Sequence, residues 1–298
     1  MLVVFTVSPE IAKPLGKGFD HVEIFLSEYI RQDRTEDSAT PDLGLSLGHI
    51  QRISGIDSLL AGVNNNPLCL IEGCTSPTNG KALFEFLNRY GKKNPIIHAI
   101  DLIDVKTIFE QQGILMPNLD FFVMDATRLK YNNESIGVVA QDFLLNCAPH
   151  NTHYQIMHEA HRVMQEGGVG LICYTDHQCV LGKERITEKM LKKEFGVSLN
   201  GDAFSVVDLL SQNKSKDNGL YNALLTGLQD KVLINGSEDR WTYVTPHGGN
   251  FEFFRPPESY ENLFKKAGLK TVGMEESKGV DRNGITCVRY RTVLHKGD

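Results

Sequence analysis

The stretch of sequence that decides the fold runs from Pro67 to Gly80 and reads PLCLIEGCTSPTNG. Its first part, Leu68-Cys-Leu-Ile71, is an apolar run of strand length, and a turn of small and polar residues follows it. Beyond the turn, Lys81 to Arg89 has helical periodicity. A strand, a turn of small residues and a helix form the first half of a βαβ unit. Such a turn lets a ligand approach the backbone and the amides at the helix N-terminus, which suits a phosphate or a carboxylate.

The same pattern continues downstream. Four more apolar runs of strand length follow: Ile96-Ile-His-Ala-Ile100, Leu119-Asp-Phe-Phe-Val-Met124, Ile136-Gly-Val-Val-Ala140 and Val169-Gly-Leu-Ile-Cys-Tyr174. Segments with helical periodicity, Lys106 to Gln112 and Thr152 to Met164, lie between some of them. This alternation predicts parallel strands covered by helices on both faces and joined by right-handed crossovers.

The end of the chain adds two strands of a different kind. Arg255 to Gly268 predicts a helix, with Pro near its start and Gly just past its end. A strand from Leu269 to Glu275 follows, and an alternating strand, Ile285 to His295, comes after a polar loop. Because that loop is short enough for a hairpin, these two strands are expected to be antiparallel neighbours. The predicted fold is therefore α/β, with a doubly wound, mostly parallel seven-stranded sheet whose last strand is reversed. The usual dinucleotide-binding fold does not end in this way.

Two regions fall outside this core. Residues 1–66 contain helical stretches, Phe19 to Ile30 and Leu47 to Leu60, after an apolar opening expected to form a first strand or a buried arm. Residues 176–250 combine helical patterns with polar loops. We therefore expect a helical N-terminal cap at 1–66, a core formed by 67–175 and 251–298, and a lid or acceptor-binding insertion at 176–250. An insertion at the carboxyl side of the sheet would cover the crevice where open α/β sheets bind ligands.

Composition excludes some classes of function. The chain of 298 residues has 41% hydrophobic and 23% charged residues and a formal net charge of −6. The acidic balance disfavours nucleic-acid binding, which needs clustered Lys and Arg. No apolar run approaches the roughly 20 residues that cross a bilayer, and the opening residues lack a basic segment typical of signal peptides. The six scattered cysteines form no C-x-x-C pair, so neither a disulfide framework nor a structural zinc site is expected, and a cytoplasmic location fits.

Acidic residues follow the first four core strands in series: Glu72, Asp101, Asp125 and Asp142. The carboxyl ends of parallel strands meet at one edge of a sheet, so these acids are expected to line a single crevice. Asp101, some way after a Gly-containing turn, is well placed to hydrogen-bond a ribose diol. A single acid at a strand end is commonly an N-cap or faces solvent. It is the series of four acids that indicates a ligand site.

This arrangement resembles the class I S-adenosylmethionine (SAM)-dependent methyltransferases over roughly residues 65–175 and 255–298. In that family the acid after strand one begins a glycine-rich motif, the acid after strand two binds the ribose hydroxyls, and an Asp before a small residue binds the adenine amino group. Residues 138–146 are similar to the motif after strand four, residues 154–168 resemble the helix and turn before strand five, and a reversed seventh strand is a family trait. The resemblance implies SAM as cofactor, methyl transfer as activity and ten cofactor-binding residues: Glu72, Gly73, Cys74, Thr75, Asp101, Leu102, Asp125, Ala126, Gln141 and Asp142.

The sequence departs from the family pattern in one place. Cys74 and Ser76 stand where two glycines of the motif are expected, and these residues resist positive φ. A small-molecule acceptor with an O or N nucleophile is the favoured substrate. The alternative is a SAM-fold protein that is non-catalytic or uses SAM for a non-methylating reaction. An NAD-dependent oxidoreductase lacks its Gly-x-Gly-x-x-Gly fingerprint here. A nucleic-acid methyltransferase lacks its Asn/Asp-Pro-Pro-Tyr/Phe motif after strand four.

His150 and His153 are the candidate catalytic residues. They follow the fourth strand, near the position that the resemblance implies for the methyl group, where a neutral imidazole can take a proton from an acceptor hydroxyl or amine. A structural role in a loop and a helix cap is the competing interpretation. His158 and His161 are three residues apart rather than the four of His-Glu-x-x-His, so no metal site is predicted.

Overall fold

A seven-stranded sheet forms the centre of the molecule in the computed structural model. The structure describes residues 43–73, 77–102, 118–197, 209–210, 218–234, 240–244, 251–280 and 286–297. The five strands of the sheet between Leu68 and Thr175 pair in parallel. The predicted α/β class and the mostly parallel sheet are therefore confirmed.

The strands of this sheet are β1 (Leu68–Glu72), β2 (Ile96–Asp101), β3 (Leu119–Val123), β4 (Ile136–Asp142), β5 (Met164–Thr175), β10 (Lys270–Val280) and β11 (Thr286–His295). Their order across the sheet is β10-β11-β5-β4-β1-β2-β3. The helices beside it are α1 (Leu43–Ile50), α2 (Ile56–Gly62), α3 (Pro77–Arg89), α4 (Leu144–Cys147), α5 (His153–Val163) and α8 (Pro257–Lys266). The remaining elements lie between β5 and α8: a 3-10 helix (His177–Val180), β6 (Arg185–Ile186), α6 (Glu188–Phe195), α7 (Asn218–Leu228), β7 (Val232–Ile234), β8 (Trp241–Val244) and β9 (Phe251–Phe254).

The last strand is the reversed one, as predicted. β11 lies between β5 and β10 and is antiparallel to both, with Tyr290 opposite Tyr174 on one side and Glu276 on the other. A hairpin explains the antiparallel β10–β11 pair. It does not explain why β11 rather than β10 joins β5, and this order was not predicted. The inner position fits the composition of β11, because seven of the ten residues in the strand are buried.

The central strands β1, β4 and β5 are buried on both faces, as expected for parallel strands joined by crossover helices. On one face Cys69, Ile71 and Leu171 pack with the apolar residues of α1, α2 and α3. On the other face Leu70 and Val139 pack with those of α5 and α8. Alternate residues of a strand therefore enter different cores, and this alternation fixes which side chains can meet.

The helical stretch predicted from Leu47 to Leu60 is two helices. Gly55, at the N-cap of α2, interrupts it with φ +91°, a conformation that L side chains rarely adopt. Helix α1 packs against α3. Ile53, between α1 and α2, lies so close to Gly273 on β10 that a Cβ on that glycine would be 2.4 Å from its Cγ2. The opening strand or arm, the helix from Phe19 to Ile30 and the helix from Lys106 to Gln112 lie outside the described residues.

The insertion contains a sheet of its own. Four strands pair in the order β6-β7-β8-β9, with β7-β8 and β8-β9 antiparallel. Phe251 to Phe254 forms β9, opposite Trp241 to Val244, so a segment assigned from sequence to the core domain pairs with the insertion. Its three phenylalanines are buried. Among the described residues, no helix combines the length and the apolarity that a membrane crossing needs.

Candidate functional site

The carboxyl ends of β1 to β4 form one edge of the sheet, and the acids predicted to share a crevice lie there. Asp101 ends β2, and its carbonyl accepts a hydrogen bond from the Met124 amide over 2.9 Å, which aligns it with the end of β3. Asp125 follows Met124, and its Oδ1 accepts from the Thr127 amide over 2.8 Å. The Asp101 and Asp125 side chains are half-buried, as are the neighbouring residues Leu102 and Ala126. The two acids therefore stand side by side and partly open at this edge.

The turn after β1 begins with a glycine that its conformation requires. Gly73 has φ +70°, and its amide donates to the Ile100 carbonyl over 3.0 Å. A Cβ at this position would lie 3.0 Å from Cδ1 of Leu144, so both the backbone and the packing favour Gly. The turn therefore starts at a residue whose conformation and packing both disfavour a side chain. Cys74 and Thr75, together with Ser76, lie outside the described residues.

Glu72 and Gln141 are neighbours in the register of β1 and β4 and are both fully buried. The Nε2 of Gln141 donates a hydrogen bond to Oε2 of Glu72. Burial raises the pKa of the Glu72 carboxyl to about 8, with a further increase from the nearby Glu159, and the bond from Gln141 opposes this only in part. The two side chains bind each other within the core that faces α5, whereas the resemblance implied that both residues bind the cofactor.

Asp142 ends β4 on the opposite face, under α1, the first helix that the structure describes. Oγ of Ser46 donates to Oδ1 of Asp142 over 3.1 Å and lies 3.5 Å from Sγ of Cys173. Across the sheet, Asp142 is opposite Cys173 in β5, which is opposite Arg291 in β11, which in turn is opposite Glu275 in β10. The cap helix is therefore attached to the end of β4 through a polar contact. Ser46 was not identified from the sequence, where it is one serine within an apolar helical pattern.

The positions of His150 and His153 argue against the predicted base role. His150 is 4% exposed and His153 is 0% exposed. Nε2 of His150 lies 3.0 Å from the carbonyl oxygen of Phe254, and Nε2 of His153 lies 2.8 Å from that of Ala148. Nδ1 of His153 accepts from Nε of Arg255 over 3.0 Å, so both of its nitrogens are occupied. Burial and the Arg255 charge lower the pKa of His150 to about 3, and burial with the adjacent His150 lowers that of His153 well below its usual value.

Two buried polar residues that the sequence did not single out join the insertion to the core. Nδ2 of Asn146 donates to the carbonyls of Thr175 and Phe253 over 3.0 Å each, and its Oδ1 accepts from the Thr175 amide over 2.8 Å. Arg255, directly after β9, contacts His153 and also donates to the His150 carbonyl over 3.3 Å. Such partners are far apart in sequence, and no periodicity signals them.

No family model and no curated protein sequence matches the chain. Solved structures do resemble it. A protein from Pyrococcus horikoshii is 15% identical, with a TM-score of 0.50 over 90% of this chain and 98% of that one. A SAM-dependent methyltransferase from Methanosarcina mazei is 13% identical, with a TM-score of 0.49 over 79% and 94%.

A third similar structure is the Burkholderia thailandensis 1,6-didemethyltoxoflavin-N1-methyltransferase, solved with 1,6-didemethyltoxoflavin and S-adenosylhomocysteine. It is 11% identical, with a TM-score of 0.48 over 100% of this chain and 94% of that one. At these identities the likeness concerns the fold alone. The strand order of the large sheet, with its reversed strand beside β5, gives this chain the Rossmann-like fold of the class I SAM-dependent methyltransferases.

Proposed function

We propose that this chain binds SAM at the carboxyl edge of β1 to β4 and transfers its methyl group to a small-molecule acceptor with an O or N nucleophile. The observation that carries the proposal is the position of Asp101 and Asp125. Both are half-buried acids at the ends of neighbouring parallel strands, in a sheet with the methyltransferase strand order. Open α/β sheets bind ligands at this edge.

The residues present fit the cofactor. In this proposal Asp101 accepts hydrogen bonds from the ribose hydroxyls, and Asp125 with Ala126 holds the adenine. Leu102, half-buried beside Asp101, contributes an apolar contact. Gly73, with its positive φ, keeps the start of the β1 turn free of a side chain, and the turn residues Cys74 and Thr75 complete the site in the proposal. Asp142 marks the end of β4, where the acceptor enters.

Bound SAM supplies a methyl group that its sulfonium already activates. The task left to the protein is to align the acceptor and exclude water, and alignment alone lowers a barrier by roughly 7–11 kcal/mol. In this proposal the insertion helps with both, and its attachment to the core is consistent with that role: Asn146 and Arg255 join β9 to the end of β5 and to the start of α5. Both ring nitrogens of His153 are occupied, so His153 cannot serve as a base. The proposed acceptor is therefore a nucleophile that needs no base from this residue, such as a neutral amine or an already ionised hydroxyl.

Calorimetric titration of the purified chain with SAM and S-adenosylhomocysteine, with NAD as control, tests cofactor binding. We expect micromolar affinity for both sulfur nucleosides and none for NAD. A screen of small-molecule acceptors with labelled methyl groups then tests transfer. Binding without transfer to any acceptor class would favour the alternative, a non-catalytic or non-methylating SAM-fold protein. No binding by a folded chain would refute the proposal.

A further inference from the structure

The buried pair formed by Glu72 and Gln141 is incompletely hydrogen-bonded. Gln141 Nε2 donates to Glu72 Oε2, whereas Oε1 of Glu72 and Oε1 of Gln141 are buried and have no hydrogen-bond partner in the described structure. Exchanging the amide oxygen and nitrogen of Gln141 would not help, because it would place two acceptors together and remove the existing bond. Two acceptor oxygens therefore lack a donor within one buried pair.

An ionised carboxylate is costly in this position. Both residues are 0% exposed, and a buried charge is tolerated in proteins when it is paired and fully hydrogen-bonded. Alternation along β1 and β4 places Glu72 on the face of Leu70, and Gln141 on that of Val139, in the apolar core with Ile156 and Met157. A single amide donor in such a core leaves most of the lost hydration uncompensated.

Among the described residues, the groups that face Glu72 do not supply a compensating positive charge. From α5 comes the carboxylate of Glu159, which is paired with Arg162 at 2.7 Å and acts to raise the pKa of Glu72. From the loop between β3 and β4 comes Tyr131, whose hydroxyl lies 3.0 Å from Nδ1 of His98 on β2. Burial lowers the pKa of His98, which favours its neutral form. The surroundings therefore favour an uncharged Glu72.

We propose that Glu72 is a carboxylic acid in the folded protein and forms a cyclic acid–amide pair with Gln141. In this pair Nε2–H of Gln141 donates to Oε2 of Glu72, and a proton on Oε1 of Glu72 donates to Oε1 of Gln141. The proton comes from solvent and no other bond changes. One proton thus satisfies both unpartnered oxygens and removes the buried charge.

This pair makes Glu72 a positioning residue rather than a cofactor ligand. It holds together the ends of β1 and β4, and Gly73 and Asp142 directly follow its two members. A neutral pair also leaves no fixed carboxylate behind the crevice. This consequence for the crevice rests on the proposed function, whereas the acid–amide pair does not.

The substitution Glu72→Gln tests the proton, because a second amide can form the same two hydrogen bonds without one. For an acid whose pKa is raised to about 8 on folding, the stabilising proton is fully bound below the unfolded value near 4.5 and is lost as pH rises through about 8. The folding equilibrium constant of E72Q relative to wild type should therefore rise by up to about tenfold per pH unit between these values and then level off. Glu85→Gln, on the exposed face of α3, is the matched control and should show no such rise.

The opposite dependence, with E72Q less stable than wild type at neutral pH and the deficit shrinking toward acid, would overturn the proposal. Should E72Q fail to fold, infrared difference spectra of the wild-type protein in heavy water decide the matter. The protonated carboxyl band of a buried acid should disappear between about pH 6 and pH 9.5, and its absence at the lower pH would also overturn the proposal. Neither readout involves SAM, so a failure of the proposed function would leave both tests intact.

Discussion

Arg255 donates a hydrogen bond from its Nε to Nδ1 of His153 over 3.0 Å, and Nε2 of the same ring lies 2.8 Å from the Ala148 carbonyl. The ring is therefore neutral, with its proton on Nε2, and it bridges the loop before α5 and the residue after β9. Arg255 itself is 7% exposed and also reaches Ser259 Oγ at 3.1 Å. The contact defines His153 as part of the joint between core and insertion.

His153→Ala should destabilise the fold by about 2–4 kcal/mol, because it leaves a cavity and removes the acceptor of the buried Arg255 Nε. Urea denaturation measures the loss. His158→Ala is the matched control on the same helix, since His158 is exposed, and it should change stability by less than about 0.5 kcal/mol. A variant with unchanged stability and an altered pH profile of methyl transfer would restore the base role.

His150 should make the protein less stable in acid. Its pKa is lowered to about 3 on folding, so the unfolded chain binds a proton first as pH falls below about 6.5. The contribution of His150 to the free energy of unfolding is therefore fully present above that pH. It declines toward pH 3 by up to about 1.4 kcal/mol per pH unit. His150→Gln, which keeps a donor for the Phe254 carbonyl, should abolish this part of the decline. Parallel slopes for wild type and variant in thermal melts at stepped pH would contradict the prediction.

Two glycine substitutions should act in opposite directions. A Cβ on Gly80 in α3 would lie 2.4 Å from Cδ2 of Leu119, so Gly80→Ala should cost about 1–3 kcal/mol through overpacking. A Cβ on Gly48 in α1 meets nothing within 4 Å, so Gly48→Ala should stabilise the helix by about 0.5–1 kcal/mol. Thermal denaturation of the two variants tests the close contact of α3 with β3. Equal effects would argue against it.

Asp101→Ala should abolish micromolar SAM binding, because it removes the acceptor proposed for the ribose hydroxyls. The side chain lies at the end of β2 and is half-buried, so the fold should survive the change. Asp120→Ala, an exposed acid on the neighbouring strand β3, is the control and should bind as wild type. Calorimetry gives the affinities, and undiminished binding by the Asp101 variant would remove this residue from the site.

Much of the large sheet follows from local sequence properties. Apolar runs of strand length alternate with helical periodicity, and this difference in period separates strands from helices before any contact is known. The runs found at Leu68, Ile96 and Ile136 all begin strands at those residues. A short polar loop also forces two successive strands to be antiparallel, so the reversed β11 was predictable.

The edge of the sheet that carries the acids was predictable in part for the same reason. Parallel strands share a carboxyl edge, so Asp101 and Asp125 had to be near each other once their strands were recognised. The position of the Glu72 side chain was not predictable in this way, because a residue at the end of a strand can point into the crevice or into the core on either face of the sheet. Its resemblance to a family motif did not reveal that it meets Gln141, which is 69 residues away in sequence.

The sequence by itself determined the strands of the large sheet, their parallel direction and the edge where the acids lie, because these depend on period, loop length and strand polarity. Only the tertiary structure decided that β11 lies inside β10, that Phe251 to Phe254 joins the smaller sheet, and that His153 is enclosed by Ala148 and Arg255. Those outcomes depend on which buried surfaces meet. A hydrophobic pattern tells that a face is covered, and packing between distant segments chooses what covers it.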